Sequence, residues 1–268
     1  MSEPNDNATA RSVKHLFDLS GRVALVTGGS RGLGLAMAHA LGDMGAKVAL
    51  TARKADELDA AVTQLRARGI HAESVVNDLA KPDTIEPMVE AVVAKLGPID
   101  ILINNAGTAW GSPTEEHPFD AWQKVVDLNL TGTFRVTQEV GKRCMIPRKY
   151  GRIVNIASLA GLQGSHPEVF RAIAYQTTKG GLVNFTRALA AEWGRHHIVV
   201  NAICPGFIVT QMSRATLDKI APLVKASTPL RQLGEEQDMQ GLVVMLSSAA
   251  ARHITGQIIA VDGGSSIV

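Results

Sequence analysis

The 268-residue chain is poor in several things, and each scarcity excludes something. It has two cysteines, Cys144 and Cys204. Two thiols in a chain this long make no disulfide framework and read as reduced, intracellular residues, although one pairing is open to them. No apolar run is long and unbroken enough to cross a bilayer, so no membrane partner is expected. No block of like charge stands out, and the net charge is only +2. That balance argues against a dedicated nucleic-acid binder. No cysteine, histidine or carboxylate spacing suggests a metal site, and His196-His197 reads as a partner for a helix C-terminus. Aromatic residues make up 4% and only two are tyrosine, so a tyrosine in a chemically suggestive setting is informative.

The first residues are polar and carry no signal-peptide core. Residues 1–15 are expected to be a disordered tail, 16–268 a single domain, and the location cytoplasmic. The rest is 46% hydrophobic and 19% charged, enough for one large α/β core. Short Val/Ile/Leu-rich runs fall at 23–27, 48–51, 72–76, 99–103, 153–156, 198–203 and 258–261. Helical patterns lie between them at 32–44, 55–67, 83–96, 119–145, 174–193 and 235–248. Continuously apolar strands are buried on both faces, and strand–helix alternation means repeated right-handed crossovers. The expected fold is therefore α/β, a doubly wound parallel sheet of about seven strands in one domain.

The first apolar run leads straight into Gly28-Gly29-Ser30-Arg31-Gly32-Leu33-Gly34 and then a helix. Such a turn aims backbone N–H groups at a pyrophosphate. Gly28 permits the bend, Gly32 the close approach of phosphates, and Gly34 the packing of helix on strand. A glycine-rich turn alone is weak evidence; a strand before it and a helix after it strengthen the nucleotide reading.

Tyr175-Gln176-Thr177-Thr178-Lys179 opens another helix, and the spacing of four puts Tyr175 and Lys179 on one face. A phenol with a pKa near ~10 exchanges protons poorly at neutral pH. An ammonium ~4 Å away at an effective dielectric of ~20 contributes about 4 kcal/mol, or roughly three pKa units, which brings the phenol into the range of a general acid or base. Ser158 stands at the exit of the fifth apolar run, where its hydroxyl can meet a carbonyl oxygen or simply cap a turn.

These segments, with Asn104-Asn105-Ala106-Gly107 and in this order, resemble the short-chain dehydrogenase/reductase family from about Leu16 to the end of the chain. The resemblance implies a Rossmann-type fold and nicotinamide-dependent chemistry between ketones and secondary alcohols. It makes Tyr175 the proton donor in reduction and gives Ser158 the orientation of the carbonyl oxygen. Lys179 lowers the Tyr175 pKa and binds the nicotinamide ribose. Asn129 matches the residue that holds a water in a proton relay; read without the family it is a polar residue kinking a helix. Asp78 and Leu79 match the adenine contact, though Asp78 also suits a helix cap. Asn104, Asn105, Ala106 and Gly107 match the segment that steadies the fourth strand and meets the adenosine ribose. Pro205, Gly206, Ile208 and Thr210 match the segment beside the nicotinamide carboxamide. Cys204 reads as a small space-filler.

The second strand ends Thr51-Ala52-Arg53-Lys54. An acid that would accept ribose hydroxyls is missing at Ala52, while Arg53 and Arg31 suit a 2′-phosphate. NADP(H) is therefore expected over NAD(H). One departure from the family is a long loop between Ser158 and Tyr175, in which His166 could meet substrate or solvent. Segments 108–111 and 207–230 are expected to complete a small-molecule pocket. The second of these carries Met212, Leu217, Ile220 and Leu223 as a lid stripe, with Arg214, Lys219 and Lys225 as charges. Within the family the pattern resembles 3-oxoacyl-acyl-carrier-protein reductases and gluconate 5-dehydrogenases. The expectation is a 3-oxoacyl or small-ketone reductase. The alternatives are a keto-sugar-acid/polyol oxidoreductase and a non-catalytic NADP-binding redox sensor. A homotetramer is expected from the long apolar helices and the C-terminal residues.

Overall fold

The structure, a computed structural model, describes residues 12–165, 170–210 and 213–268. Of the tail expected over 1–15, residues 1–11 lie outside the described residues; its end forms part of one helical turn, α1 (Val13–Leu16). In chain order there follow β1 (Val23–Thr27), α2 (Gly32–Asp43), β2 (Lys47–Ala52), α3 (Ala55–Ala67) and β3 (Ala72–Val76). Next come α4 (Ile85–Leu96), β4 (Ile101–Asn104), α5 (Phe119–Val126), α6 (Thr133–Val140), α7 (Ile146–Arg148) and β5 (Gly151–Ile156). The chain closes with α8 (Ile173–Trp193), β6 (Ile198–Pro205), α9 (Arg214–Ser227), α10 (Gln240–Ser247) and β7 (Ile258–Val261). The strands form one seven-stranded sheet of order β3-β2-β1-β4-β5-β6-β7, parallel throughout.

Each apolar run of the sequence is a strand. β1, β4, β5 and β6 are buried at every residue, because helices cover both faces of the sheet. Met37, Leu41, Leu58, Leu65 and Val243 pack from α2, α3 and α10 on one face. Val89, Val92, Val136, Val140 and Leu189 pack from α4, α6 and α8 on the other. The edge strand β7 is half-exposed along its length. The strand order reverses between β1 and β4, so the loops leaving their carboxyl ends diverge and open a crevice there.

The continuous helix expected over 119–145 is interrupted. Two π-helical turns, Asp127–Gly132 and Gly141–Met145, separate α5, α6 and α7. Both include a glycine in close packing: a Cβ on Gly132 would run into the Leu79 carbonyl, and one on Gly141 into the Trp193 ring. The helix widens where it must lie against neighbouring chain, and the first wide turn carries Asn129. Single-turn π segments of this kind recur at functional sites.

Candidate active site

At the head of the crevice the glycine turn is sterically specified. Gly28 and Gly32 have φ of +63° and +56°, the left-handed region that glycine enters without penalty. A Cβ on Gly34 would collide with the Gly28 carbonyl. Two side chains fasten this turn to the exit of β4. Asn105 Nδ2 donates to the Thr27 and Gly28 carbonyls at 3.0 and 3.1 Å. Thr27 Oγ1 accepts from the Asn105 and Ala106 N–H groups, each at 3.0 Å. The N-cap of α2, Arg31, makes no side-chain cap, so the first-turn N–H groups remain available for an anion. Gly28, Ser30, Gly32, Leu33 and Gly34 all line a cleft of about 340 Å³. Backbone donors, positive-φ glycines and space where side chains would intrude fit a dinucleotide pyrophosphate.

Arg53, Lys54, Asp78 and Leu79 line the same cleft at the exits of β2 and β3, and Arg31 lines it from the glycine turn. Arg53 is solvent-exposed there. This end is not free of acid, as the missing carboxylate at Ala52 suggested. Glu57, in the first turn of α3, reaches into it: Lys54 Nζ lies 2.8 Å and Arg31 Nη1 3.4 Å from its Oε1, and Ser30 Oγ donates to its Oε2 at 3.2 Å. The Lys54 hydrogen bond, followed by the Arg31 and Lys54 charges, holds the Glu57 carboxyl below its ordinary range. Asp78 Oδ1 accepts from the Ala80 N–H at 3.2 Å, as a turn-capping aspartate does.

Ser158, Tyr175 and Lys179 converge at the other end of the cleft. Gly161, three residues beyond Ser158, touches the Lys179 main chain so closely that any Cβ would overlap it. That contact seats the exit loop of β5 on α8. Ser158 Oγ accepts from the Ala160 N–H at 3.1 Å, capping its turn, and its hydroxyl stands near enough to the Tyr175 phenol to favour the ionised phenol. Phe170 meets the Tyr175 ring edge-on at 5.7 Å.

Lys179 is buried, and its Nζ donates to the Ile156 carbonyl at 2.6 Å while lying 5.5 Å from the centre of the Tyr175 ring. It thus faces the Tyr175 ring and the strand exit. Burial brings the Lys179 pKa down to about 8. Burial raises the Tyr175 pKa, and the Ser158 hydrogen bond is what opposes the rise. Nearby Cys204 is buried and its thiol is pushed up to about 11, as expected of a space-filler.

Asn129 is buried on the first π turn, behind this group. Its Nδ2 donates to the Thr108 carbonyl and to Thr178 Oγ1, both at 3.0 Å, and its Oδ1 accepts from the Thr108 N–H at 2.9 Å. Both amide hydrogens are occupied, so a water could meet Asn129 only at an acceptor oxygen. Gly107 lines the cleft between Asn129 and Lys179: its Cβ would stand 3.3 Å from Asn129 Oδ1 and 3.6 Å from Lys179 Nζ. Asn104 turns away into the sheet, donating to Thr137 Oγ1 and Asn155 Oδ1 at 2.9 and 2.8 Å.

Pro205, Gly206, Ile208 and Thr210 continue the wall from the end of β6, joined by Phe207 and Ser213. Ser213 Oγ donates to the Ile208 carbonyl at 2.6 Å, and Thr210 N–H donates to Ser213 Oγ at 2.9 Å, closing the turn into α9. Of the lid stripe, Leu217 is buried while Leu223 is exposed. Val224 is the second inward residue, seven positions from Leu217; Met212 and His166 lie outside the described residues. Ser112 N–H donates to the Arg171 carbonyl at 3.0 Å, tying the two loops at the mouth together. Sequence reasoning missed Thr27, Thr178 and Glu57. Only Glu57 carried a signal, its spacing of three from Lys54 at a helix start.

Residues 22–221 match the family model described as short chain dehydrogenase. The chain is 38% identical over 254 residues to gluconate 5-dehydrogenase of Gluconobacter oxydans, covering 94% of this chain and 97% of the relative. It is 37% identical to 3-oxoacyl-(acyl-carrier-protein) reductase of Aquifex aeolicus, covering 92% and 98%. The crystal structure of a gluconate 5-dehydrogenase from Burkholderia cenocepacia in complex with NADP and tartrate superposes with a TM-score of 0.90 at 32% identity. It covers 95% of this chain and 99% of that one.

Proposed function

The chain belongs to the short-chain dehydrogenase family, and from that premise we propose that it interconverts a ketone and a secondary alcohol with NADP(H), its substrate being a 3-oxoacyl compound or a small ketone. One observation carries the catalytic reading. Ser158, Tyr175 and Lys179 meet at one end of a cleft whose other end gathers Arg31, Arg53 and Lys54. A non-catalytic nucleotide sensor has no need of the first group.

When bound, the nicotinamide supplies a hydride to the carbonyl carbon or takes one from the alcohol carbon. Tyr175 gives its phenolic proton to the carbonyl oxygen in reduction and recovers it in oxidation. Ser158, which lines the cleft with Tyr175, orients that oxygen. Lys179 binds the nicotinamide ribose hydroxyls, and its charge favours the phenolate left on Tyr175. Asn129 holds the loop at Thr108 and offers an oxygen to a relay water. Ile208 and Thr210 meet the carboxamide, Asp78 and Leu79 the adenine, and Asn105, Ala106 and Gly107 the adenosine ribose.

Trp110 and Leu162, both exposed, lie on the two loops expected to form the substrate mouth, and Phe207 lines the cleft. These apolar surfaces favour the ketone and 3-oxoacyl reading, while the 38% identity to a gluconate 5-dehydrogenase favours keto-sugar acids as the second. NADPH absorbance followed with β-ketoacyl thioesters and keto-sugar acids in parallel separates them. The thioesters are expected to turn over faster. Faster keto-sugar acids select the second reading, and no turnover with any ketone selects the sensor.

Phe119 and Phe134, on α5 and α6, and Ile267 and Val268 at the C-terminus are exposed. They form apolar surface of the kind that pairs between copies. A homotetramer in the cytoplasm is the proposed form. Light scattering at micromolar concentration is expected to give four times the 28.4 kDa chain mass; a monomer contradicts it.

A further inference from the structure

Glu57 has no part in the function just described, yet three donors from two separate segments converge on its carboxylate. Ser30 and Arg31 come from the glycine turn, and Lys54 from the exit of β2. All four residues line the cleft beside Arg53. The Glu57 side chain is only 25% exposed, whereas Arg31 and Lys54 are 52% and 62% exposed. An isolated surface ion pair would mean little. Here the acceptor is the more buried member, and its two oxygens take the hydroxyl and the cations as the oxygens of a phosphate would.

We propose that Glu57 is an internal stand-in for the cofactor's 2′-phosphate: it holds Ser30, Arg31 and Lys54 together before the cofactor binds, and the incoming phosphate must displace it. The inference rests on the NADP(H) reading above. Glu57 is then a specificity-determining residue that restrains NADP(H) affinity, because two anions contend for one set of donors. NAD(H), with hydroxyls in place of the phosphate, has no such contest. The opposite role is also physically definite. If Glu57 only orders Lys54 and Arg31 for the phosphate, its loss weakens NADPH.

Calorimetric titration of the purified protein with NADPH, NADH, adenosine 2′,5′-bisphosphate and 5′-AMP decides between them without any catalytic turnover. In Glu57→Gln, which keeps size and an acceptor oxygen but removes the charge, NADPH and adenosine 2′,5′-bisphosphate are expected to bind roughly three- to tenfold more tightly. NADH and 5′-AMP should stay within about twofold. Glu57→Ala should move in the same direction. Unchanged or weaker phosphate-ligand binding in both variants overturns the proposal, and so does an equal gain for NADH. The cofactor reading is tested separately by the unsubstituted protein. If adenosine 2′,5′-bisphosphate binds it no better than 5′-AMP, that reading falls and the stand-in falls with it.

Discussion

Replacing Tyr175 with phenylalanine is expected to lower kcat by about 10²-fold or more while NADPH still binds. The aromatic ring packs edge-on against Phe170 at 5.7 Å, and phenylalanine keeps that contact. What it removes is the one phenolic hydroxyl, which stands beside Ser158 in the cleft. Lys179 loses little anchoring, because its ammonium is held by the Ile156 carbonyl at 2.6 Å. The damage should therefore fall on the chemical step and not on assembly of the cleft. Stopped-flow hydride transfer beside NADPH fluorescence titration separates the two. Turnover near that of the unsubstituted protein would remove Tyr175 from its role, and loss of NADPH binding would show that the ring is needed structurally.

The other large effect is at Arg53. If its guanidinium grips the 2′-phosphate, the charge-assisted hydrogen bonds contribute about 1.5–3 kcal/mol, which is roughly tenfold to more than a hundredfold in affinity. Arg53→Ala should weaken NADPH by that factor and leave NADH almost unchanged. Arg31 lines the same end of the cleft and takes part of the phosphate once Glu57 is displaced, so the single substitution falls towards the lower end of that range. Adding Ala52→Asp should turn preference towards NADH, since a carboxylate accepts ribose hydroxyls and repels phosphate. Values of kcat/KM for both cofactors test this. Equal weakening of both, or an initial preference for NADH, would contradict the NADP(H) assignment.

The central strands β1, β4, β5 and β6 were legible because burial on both faces writes itself as a largely apolar run; the edge strands β3 and β7 are only partly buried and showed through short Val/Ile-containing runs. The glycine turn was legible because positive φ and close approach leave few alternatives at Gly28, Gly32 and Gly34. Tertiary pairings were harder to read. The tie between Thr27 and Asn105 spans 78 residues, and no local pattern marks it. Glu57 is one of two acids in the first turn of α3, and only the fold sets the glycine turn beside it. Spacing placed Lys179 on the face of Tyr175 but not its ammonium, whose direction depends on a carbonyl in another strand.

The wide turn at Asp127–Gly132 also bears on which changes in chain length this protein can accept. Each residue of an α-helix advances the next by about 100° around the axis. Removing one residue between Asn129 and Thr137 would let the segment straighten into regular helix. It would also swing everything after it by that angle relative to α5. Thr137 would leave the amide of Asn104, which it meets at 2.9 Å, or Asn129 would leave Thr108 and Thr178. The count of seven intervening residues is therefore a phase setting between two buried polar anchors, one under the sheet and one behind Lys179. Side-chain substitutions on the outer surface of this helix leave that phase untouched, whereas a single-residue insertion or deletion inside it cannot satisfy both anchors at once.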